Sequence, residues 1–279
     1  MQIPEGLYHY YREMPRSSAG NYSGYVAHSL DDEYIGKLAG AIIDAADKNR
    51  YSECKIIELA AVFVQNLLYN ADSETTSYDE YLRYPIETLV DNGGDCEDTS
   101  ILLASILDSI GYSVVLLNLP YHLAVGVRCG EDMPGRYSPY NGSNYYYLET
   151  TNPGWKIGEI PQNYGFVSAY IYSIEPVPVL TPNWATKIQD SSVILEVTVE
   201  NSGTVAADDV RVWAGFETDE GQWLNSKTSR YFNLPPGFTT TVRVGLEILR
   251  NQYVRLLVQI VDNGWTVDSS QSYWFDISR

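Results

Sequence analysis

From Asp31 to Arg50 the apolar residues Ile35, Leu38, Ala39, Ile42, Ile43 and Ala46 recur every three or four positions. This spacing predicts an amphipathic helix, with Asp31, Asp32 and Glu33 favouring its positive N-terminal end. The same period runs from Glu53 to Tyr69 through Ile56, Ile57, Ala60, Ala61, Phe63, Val64, Leu67 and Leu68, and its wider apolar face predicts deeper burial. A third helix is predicted from Cys96, after the helix-breaking pair Gly93-Gly94, with Asp95 as N-cap and Gly111 as the C-terminal stop. Beyond Gly111 the period shortens to 2. Strands are expected over 113–119, 122–129 and 145–151, with Pro120-Tyr121 as a tight corner between the first two. Gly130 to Asn144 reads as a long connection able to overhang a site, Asn152-Pro153-Gly154 as a turn, and 155–160 as a short returning strand. Residues 1–28 show no sustained period and read as an irregular arm, with His9 and His28 as ordinary surface polar groups. Asn70 to Asp79 reads as a loop or short turn, a plain solvated connection or a rim of the substrate cleft.

Glu175-Pro176-Val177-Pro178 and Thr181-Pro182 predict a linker, because prolines remove donors and extend the backbone. After it, strands are expected at 193–199, 210–216, 228–232, 240–246, 254–261 and 273–277, with turns at Asn201-Ser202-Gly203, Pro235-Pro236-Gly237 and Asp262-Asn263-Gly264. This spacing predicts an immunoglobulin-like or fibronectin-like β-sandwich, similar to accessory modules of exported microbial proteins. It contains no His and no Cys, and its Trp213, Trp223, Trp265 and Trp274 read as core and rim aromatics. Two domains are therefore expected, 1–178 and 179–279. Helices followed by an antiparallel sheet give the first an α+β class.

Charge narrows the partners. Lys+Arg 18 against Asp+Glu 36 leaves a net charge of −18, which repels phosphate backbones and anionic lipid and excludes nucleic acid as a nonspecific partner. No apolar run approaches the ~20 residues of a membrane span, and the N-terminus lacks the basic start and apolar core of a signal peptide. The wealth of Tyr, with polar Asn/Ser/Gly loops and an all-β module, nevertheless suggests an exported or cell-surface protein whose signal or anchor has been removed; a cytoplasmic one stays open. Cys54, Cys96 and Cys129 form no metal-like pair and the three histidines lie far apart, so no zinc site and no cofactor are expected. Cys54 and Cys129 either pair or stay buried separately. Calcium stays open, although no regular loop of spaced acids is present.

A cysteine in the first turn of a helix feels the unpaired N–H groups there, which favours the thiolate. His122 opens one predicted strand and Glu149 lies on its neighbour, so a nucleophile, a base and an orienting acid occur in that order. Glu97 and Asp98 read as first-turn acids whose charge opposes thiolate formation. The pieces Tyr84-Pro85-Ile86-Glu87-Thr88-Leu89, Gly94-Asp95-Cys96-Glu97-Asp98, Ile110-Gly111-Tyr112, His122 and Leu148-Glu149-Thr150-Thr151 resemble the transglutaminase-like superfamily of papain-related cysteine enzymes over 84–161. Glu149 stands where that family usually has Asp, and Leu123-Ala124-Val125 where an aromatic often follows the histidine. The resemblance implies a papain/transglutaminase-like domain of helices packed on an antiparallel sheet. It also implies acyl transfer on protein or peptide amides through a thioester at Cys96, ending in hydrolysis or transamidation. The second oxyanion donor is expected from the segment before Cys96, with Tyr84 as candidate. The alternative is an inactive binding module that holds a peptide, glycan or partner protein. Nothing in the sequence sets the oligomeric state.

Overall fold

A computed structural model describes the chain except residues 15, 17–21, 73–80, 131–132, 175, 190, 219–220, 249–251 and 277–279. The chain divides into two compact units, residues 1–14 with 25–175, and residues 15–24 with 176–279.

In the first unit the helix Asp32–Asn49 buries Ile35, Ala39, Ile42 and Ala46, one stripe at helical spacing, and closes on Arg50 in the left-handed conformation. The helix Glu53–Gln65 buries Ile57, Ala60, Ala61, Val64 and Gln65. The helix Cys96–Ile110 is buried on every side from Asp98 to Leu107, and it packs against both of these helices and the strands that follow it. Strands β1 (Leu68–Tyr69) and β2 (Gly93–Gly94) pair in parallel just before it. A five-stranded antiparallel sheet then forms from β3 (Val114–Leu119), β4 (His122–Val127), β5 (Tyr137–Tyr140), β6 (Ser143–Leu148) and β7 (Tyr170–Ser173), in the order β5-β6-β4-β3-β7. A Cys54–Cys129 disulfide ties the first turn of one helix to the residues following β4.

The second unit has two sheets. One orders β13 (Thr239–Glu247), β9 (Ser192–Asn201) and β8 (Leu180–Gln189). The other orders β11 (Trp223–Thr228), β10 (Ala207–Thr218), β14 (Tyr253–Asp262) and β15 (Trp265–Gln271), with β12 (Phe232–Leu234) on β10 and β16 (Phe275–Asp276) on β14. Alternate residues of both sheets, Leu195, Val197 and Val199 from one and Val210, Val212 and Val258 from the other, meet in one apolar core.

The α+β class with a papain/transglutaminase-like helix-on-sheet domain is overturned. Strand makes up 39% and helix 28% of the described residues, which are therefore mainly β. Helical periodicity dominates only the first 110 residues, whereas several strands lack an alternating pattern and escape a reading based on period. The 130–144 connection contains β5, paired with β6 as a hairpin. Residues 155–160 form no strand; a 3-10 turn at Gln162–Tyr164 leads to β7 on the far edge of the sheet. Thr181-Pro182 lies inside β8. The arm contains the helix Glu5–Glu13, and His28 is fully buried rather than at the surface. Its Nδ1 lies 2.9 Å from the Tyr11 hydroxyl, and burial depresses its pKa to about 4. Those contacts come from residues distant in sequence, which no local pattern records. Most of the 70–79 loop lies outside the described residues.

Candidate active site

Asp95 starts the Cys96–Ile110 helix by accepting from the N–H groups of Glu97 (3.1 Å) and Asp98 (3.4 Å), while Asp98 accepts from the Asp95 N–H (3.2 Å). The two glycines before it are required by close approach. A Cβ on Gly93 would come within 2.2 Å of the Leu68 carbonyl oxygen, and one on Gly94 within 2.4 Å of the Asp98 carboxylate. The backbone of β1 is thereby held against the entry to the helix, and Cys96 is fixed in its first turn.

The other end of the site is fastened to the same helix. The Ser100 hydroxyl donates to the Leu123 carbonyl (2.9 Å), the residue after His122. The Thr150 hydroxyl lies 2.9 Å from that of Thr99 and 3.1 Å from that of Ser100. A backbone hydrogen bond from Leu123 reaches the Cys96 sulfur. Cys96, the strand carrying His122 and the segment carrying Glu149 therefore converge on one helical turn.

His122 Nε2 lies 3.0 Å from Glu149 Oε2, and its ring stacks on Tyr164 with planes 8° apart and centroids 5.1 Å apart. Nδ1 has no partner among the described residues. Glu149 is almost fully buried, directly after the end of β6. Its Oε2 also accepts from the Tyr147 hydroxyl (2.7 Å), and its Oε1 from the Thr150 and Thr151 N–H groups and the Thr151 hydroxyl (3.0, 3.1 and 2.8 Å). Burial alone would raise this pKa, but the bonds from His122, Tyr147 and Thr151 outweigh it and lower it to about 2. Gln65 sets the backbone: its Nε2 donates to the carbonyls of Glu149 (2.8 Å) and Trp155 (3.1 Å).

At Cys96 the electrostatics oppose the thiolate. The S–H donates to Glu97 Oε2 (2.8 Å), and burial, then the charge and hydrogen bond of Glu97, push the thiol pKa well above its ordinary value. The helix N-terminus does not overcome them. Asp98 is a first-turn acid, and it is fully buried against Arg83, whose N–H bonds Oδ1 at 2.7 Å and whose guanidinium bonds Oδ2.

Tyr84 bonds no group of the Cys96–His122–Glu149 cluster in the contacts the structure gives it. Its buried ring packs with Tyr11, Tyr25 and His28, at centroid distances of 4.7, 4.5 and 5.2 Å. A phenol near the site is Tyr69, whose pKa is raised by burial and then by its proximity to the acidic groups Cys96, Asp95 and Glu97. Sequence reasoning missed Tyr147, Tyr164 and Gln65. For Tyr147 a signal was present, because alternate residues share a face and Tyr147 is two before Glu149.

One carboxylate oxygen from each of Asp72, Asp95 and Asp98 lies within 4.8 Å of the others, an arrangement able to hold a cation. The Arg83 guanidinium already bonds two of the three, reaching Asp72 Oδ1 at 2.8 Å and Asp98 Oδ2. A metal ion there would have to displace it, so the group fits an internal ion network better than a metal centre.

No family model matches the sequence, and no curated protein matches it. Among solved structures the chain is similar to calcium-bound LapG of Legionella pneumophila, with 22% identity over 52% of this chain and 85% of that one and a TM-score of 0.37. It is also similar to the CARDB domain of the PF1109 protein from Pyrococcus furiosus in complex with di-metal ions (14% identity, 34% and 88% coverage, TM-score 0.26). A third likeness is to a β-glucuronidase of glycoside hydrolase family 2, at 9% identity and TM-score 0.28, where 34% of this chain covers only 11% of that one. Overlap at these scores carries no weight in reading the site, which rests on the distances above.

Proposed function

We propose that the first unit is a cysteine-dependent acyl-transfer enzyme acting on protein or peptide amides, in the manner of the transglutaminase-like enzymes its motif resembles. Cys96 is the nucleophile, His122 the base and then the acid, and Glu149 the orienting acid. The observation that carries this reading is the state of His122. Its Nε2 is held by a carboxylate that stays ionised at neutral pH, and its Nδ1 is left open beside the strand residue bonded to the Cys96 sulfur.

Because the resting sulfur is a thiol bound to Glu97, its proton leaves during attack rather than before it. Substrate entry breaks the Glu97 contact, Nδ1 takes the proton, and the sulfur bonds to the carbonyl carbon. The imidazolium, stabilised by Glu149, returns the proton to the departing amine as the C–N bond breaks. Water or a second amine then resolves the thioester. The Cys96 N–H, at the start of the helix, is one of the donors without a helical partner and faces the developing oxyanion. Tyr84 has no part in this scheme.

The Cys54–Cys129 disulfide supports a site of action in an oxidising compartment, outside the cytoplasm. The second unit, without His or Cys, serves as a non-catalytic accessory module. The test is alkylation of Cys96 by iodoacetamide across pH, with and without His122→Ala. An accelerated, histidine-dependent limb is expected near neutrality. A profile following only the thiol's own ionisation, identical in the variant, would refute the reading.

A further inference from the structure

Five bulky side chains stand in solvent on segments that adjoin Cys96 or His122. On the side of the nucleophile, Leu68 and Tyr69 of β1 are 60% and 57% exposed. They pair with Gly93 and Gly94 immediately before the helix that opens on Cys96. On the side of the base, Tyr121 precedes His122 and is 102% exposed. Phe166, two residues after the ring stacked on His122, is 101% exposed, and Tyr170 is 67% exposed. Tyr170 pairs with Asn118, next to the Pro120-Tyr121 turn, so these three belong to the end of the sheet that holds His122.

Isolated exposed apolar residues are ordinary on protein surfaces. Tyr121 is not. It follows a proline in a two-residue turn, in the left-handed conformation with φ 59°, at a position where glycine or asparagine would sit without strain. A tyrosine held there gains no packing in return, since its side chain is wholly in solvent. Local strain with no structural gain, beside the proposed base, points to a task outside the folded chain. The charges at the centre narrow that task. Glu97 bonds the thiol and no basic side chain bonds to Glu97 among the described residues, so acidic groups on a substrate are repelled there.

Resting on the acyl-transfer reading, we infer that these two exposed walls select the substrate. The scissile amide lies in an extended protein segment carrying bulky apolar or aromatic side chains within two or three residues of the bond, and no acidic ones. The occupant is that segment, because one exposed pair adjoins the start of the Cys96 helix and the other group adjoins His122 and the ring stacked on it.

The probe is a pair of acyl-dipeptidyl chloromethyl ketones, Phe-Ala and Asp-Ala, on the full chain. The Cys96 sulfur displaces chloride, so that an S–C bond forms, the C–Cl bond breaks and the thiol proton passes to His122. Rates are divided by that of iodoacetamide, which carries no side chain. The wild type is expected to prefer the Phe reagent at least tenfold. That preference should fall at least threefold in one of two double variants, Tyr121→Gly with Phe166→Ser, or Leu68→Ser with Tyr69→Ser, according to which wall receives the acyl side. Glycine at 121 relieves strain, so that single change should not lower Tm and guards against misfolding as the cause. Cys96 alkylated by iodoacetamide, with no preference between the two ketones or a preference kept in both double variants, overturns this inference and leaves the acyl-transfer reading standing. A Cys96 inert to all three reagents removes both.

Discussion

Glu97 governs how much of the Cys96 thiol is available, since after burial its charge and its hydrogen bond are the largest influences holding the proton on sulfur. Glu97→Gln removes the charge. The thiol pKa is expected to fall by about one unit or more, with roughly tenfold faster iodoacetamide labelling at pH 7, read from a pH series. Cys96→Ala should abolish labelling and turnover and leave Tm nearly unchanged. Glu149 acts in the opposite direction. Its folded pKa of about 2 lies below the ordinary 4.5, so its contribution is complete above pH 4.5 and is lost as pH falls towards 2. On the order of 2 to 3 kcal/mol should vanish across that window, and urea midpoints at pH 5 and pH 3 should show the loss in wild type but not in Glu149→Gln. Tyr147→Phe deletes a hydroxyl bonded to Glu149 at 2.7 Å and 3.2 Å from His122 Nε2. Turnover should fall about tenfold, with ~1 kcal/mol of stability lost. That His122 and Glu149 would meet near the Cys96 helix was legible in the chain, because a short motif and neighbouring strand positions place them. Tyr164 and Gln65 were not, since they reach the site from segments whose local patterns carry no sign of it.

At the level of elements, the meeting of β1 and β2 sets where the nucleophile helix begins. Gly93→Ala places a Cβ within 2.2 Å of a backbone oxygen, which cannot yield as a side chain would. Separation of β1 from β2 is expected, with roughly 1 to 3 kcal/mol lost and a drop in turnover exceeding the drop in stability. Calorimetry and kinetics on the same sample check it. The elements read correctly from sequence are those with a sustained period and clear ends. The helices Asp32–Asn49 and Glu53–Gln65 fall inside the segments whose apolar spacing predicted them, and Cys96–Ile110 runs between its named cap and stop. Two of the strands that escaped, β5 and β8, share a physical cause. β5 contains Pro139 and β8 contains Pro182, and each lies at the edge of its sheet, where a missing N–H costs no ladder bond. Proline that signals a linker in isolation is therefore also the mark of an edge strand. Tyr, Asn and Ser on the outward faces of such edges erase the alternation that identifies buried strands such as β9.

For the molecule as a whole, two compact units make a single unfolding free energy ill-defined, and the disulfide offers a way to separate them. Cys54 and Cys129 both belong to the first unit and are 75 residues apart in sequence. Closing a loop of that length restricts the unfolded chain by about 4 to 5 kcal/mol on the chain-entropy estimate, within a usual range of roughly 2 to 5 kcal/mol for removing a native bridge. The bridge holds the first turn of the helix whose last residue, Gln65, positions the backbone of Glu149. Its loss should therefore loosen the acid before the nucleophile, which has its own cap. In calorimetry, Cys54→Ser/Cys129→Ser is expected to lower one transition by several degrees and leave a second, belonging to the all-β unit, where it was. Turnover should fall while iodoacetamide labelling of Cys96 persists. A single transition that moves as one would show that the units unfold together. Labelling lost in parallel with turnover would show that the bridge supports the nucleophile directly and not through Gln65 and Glu149.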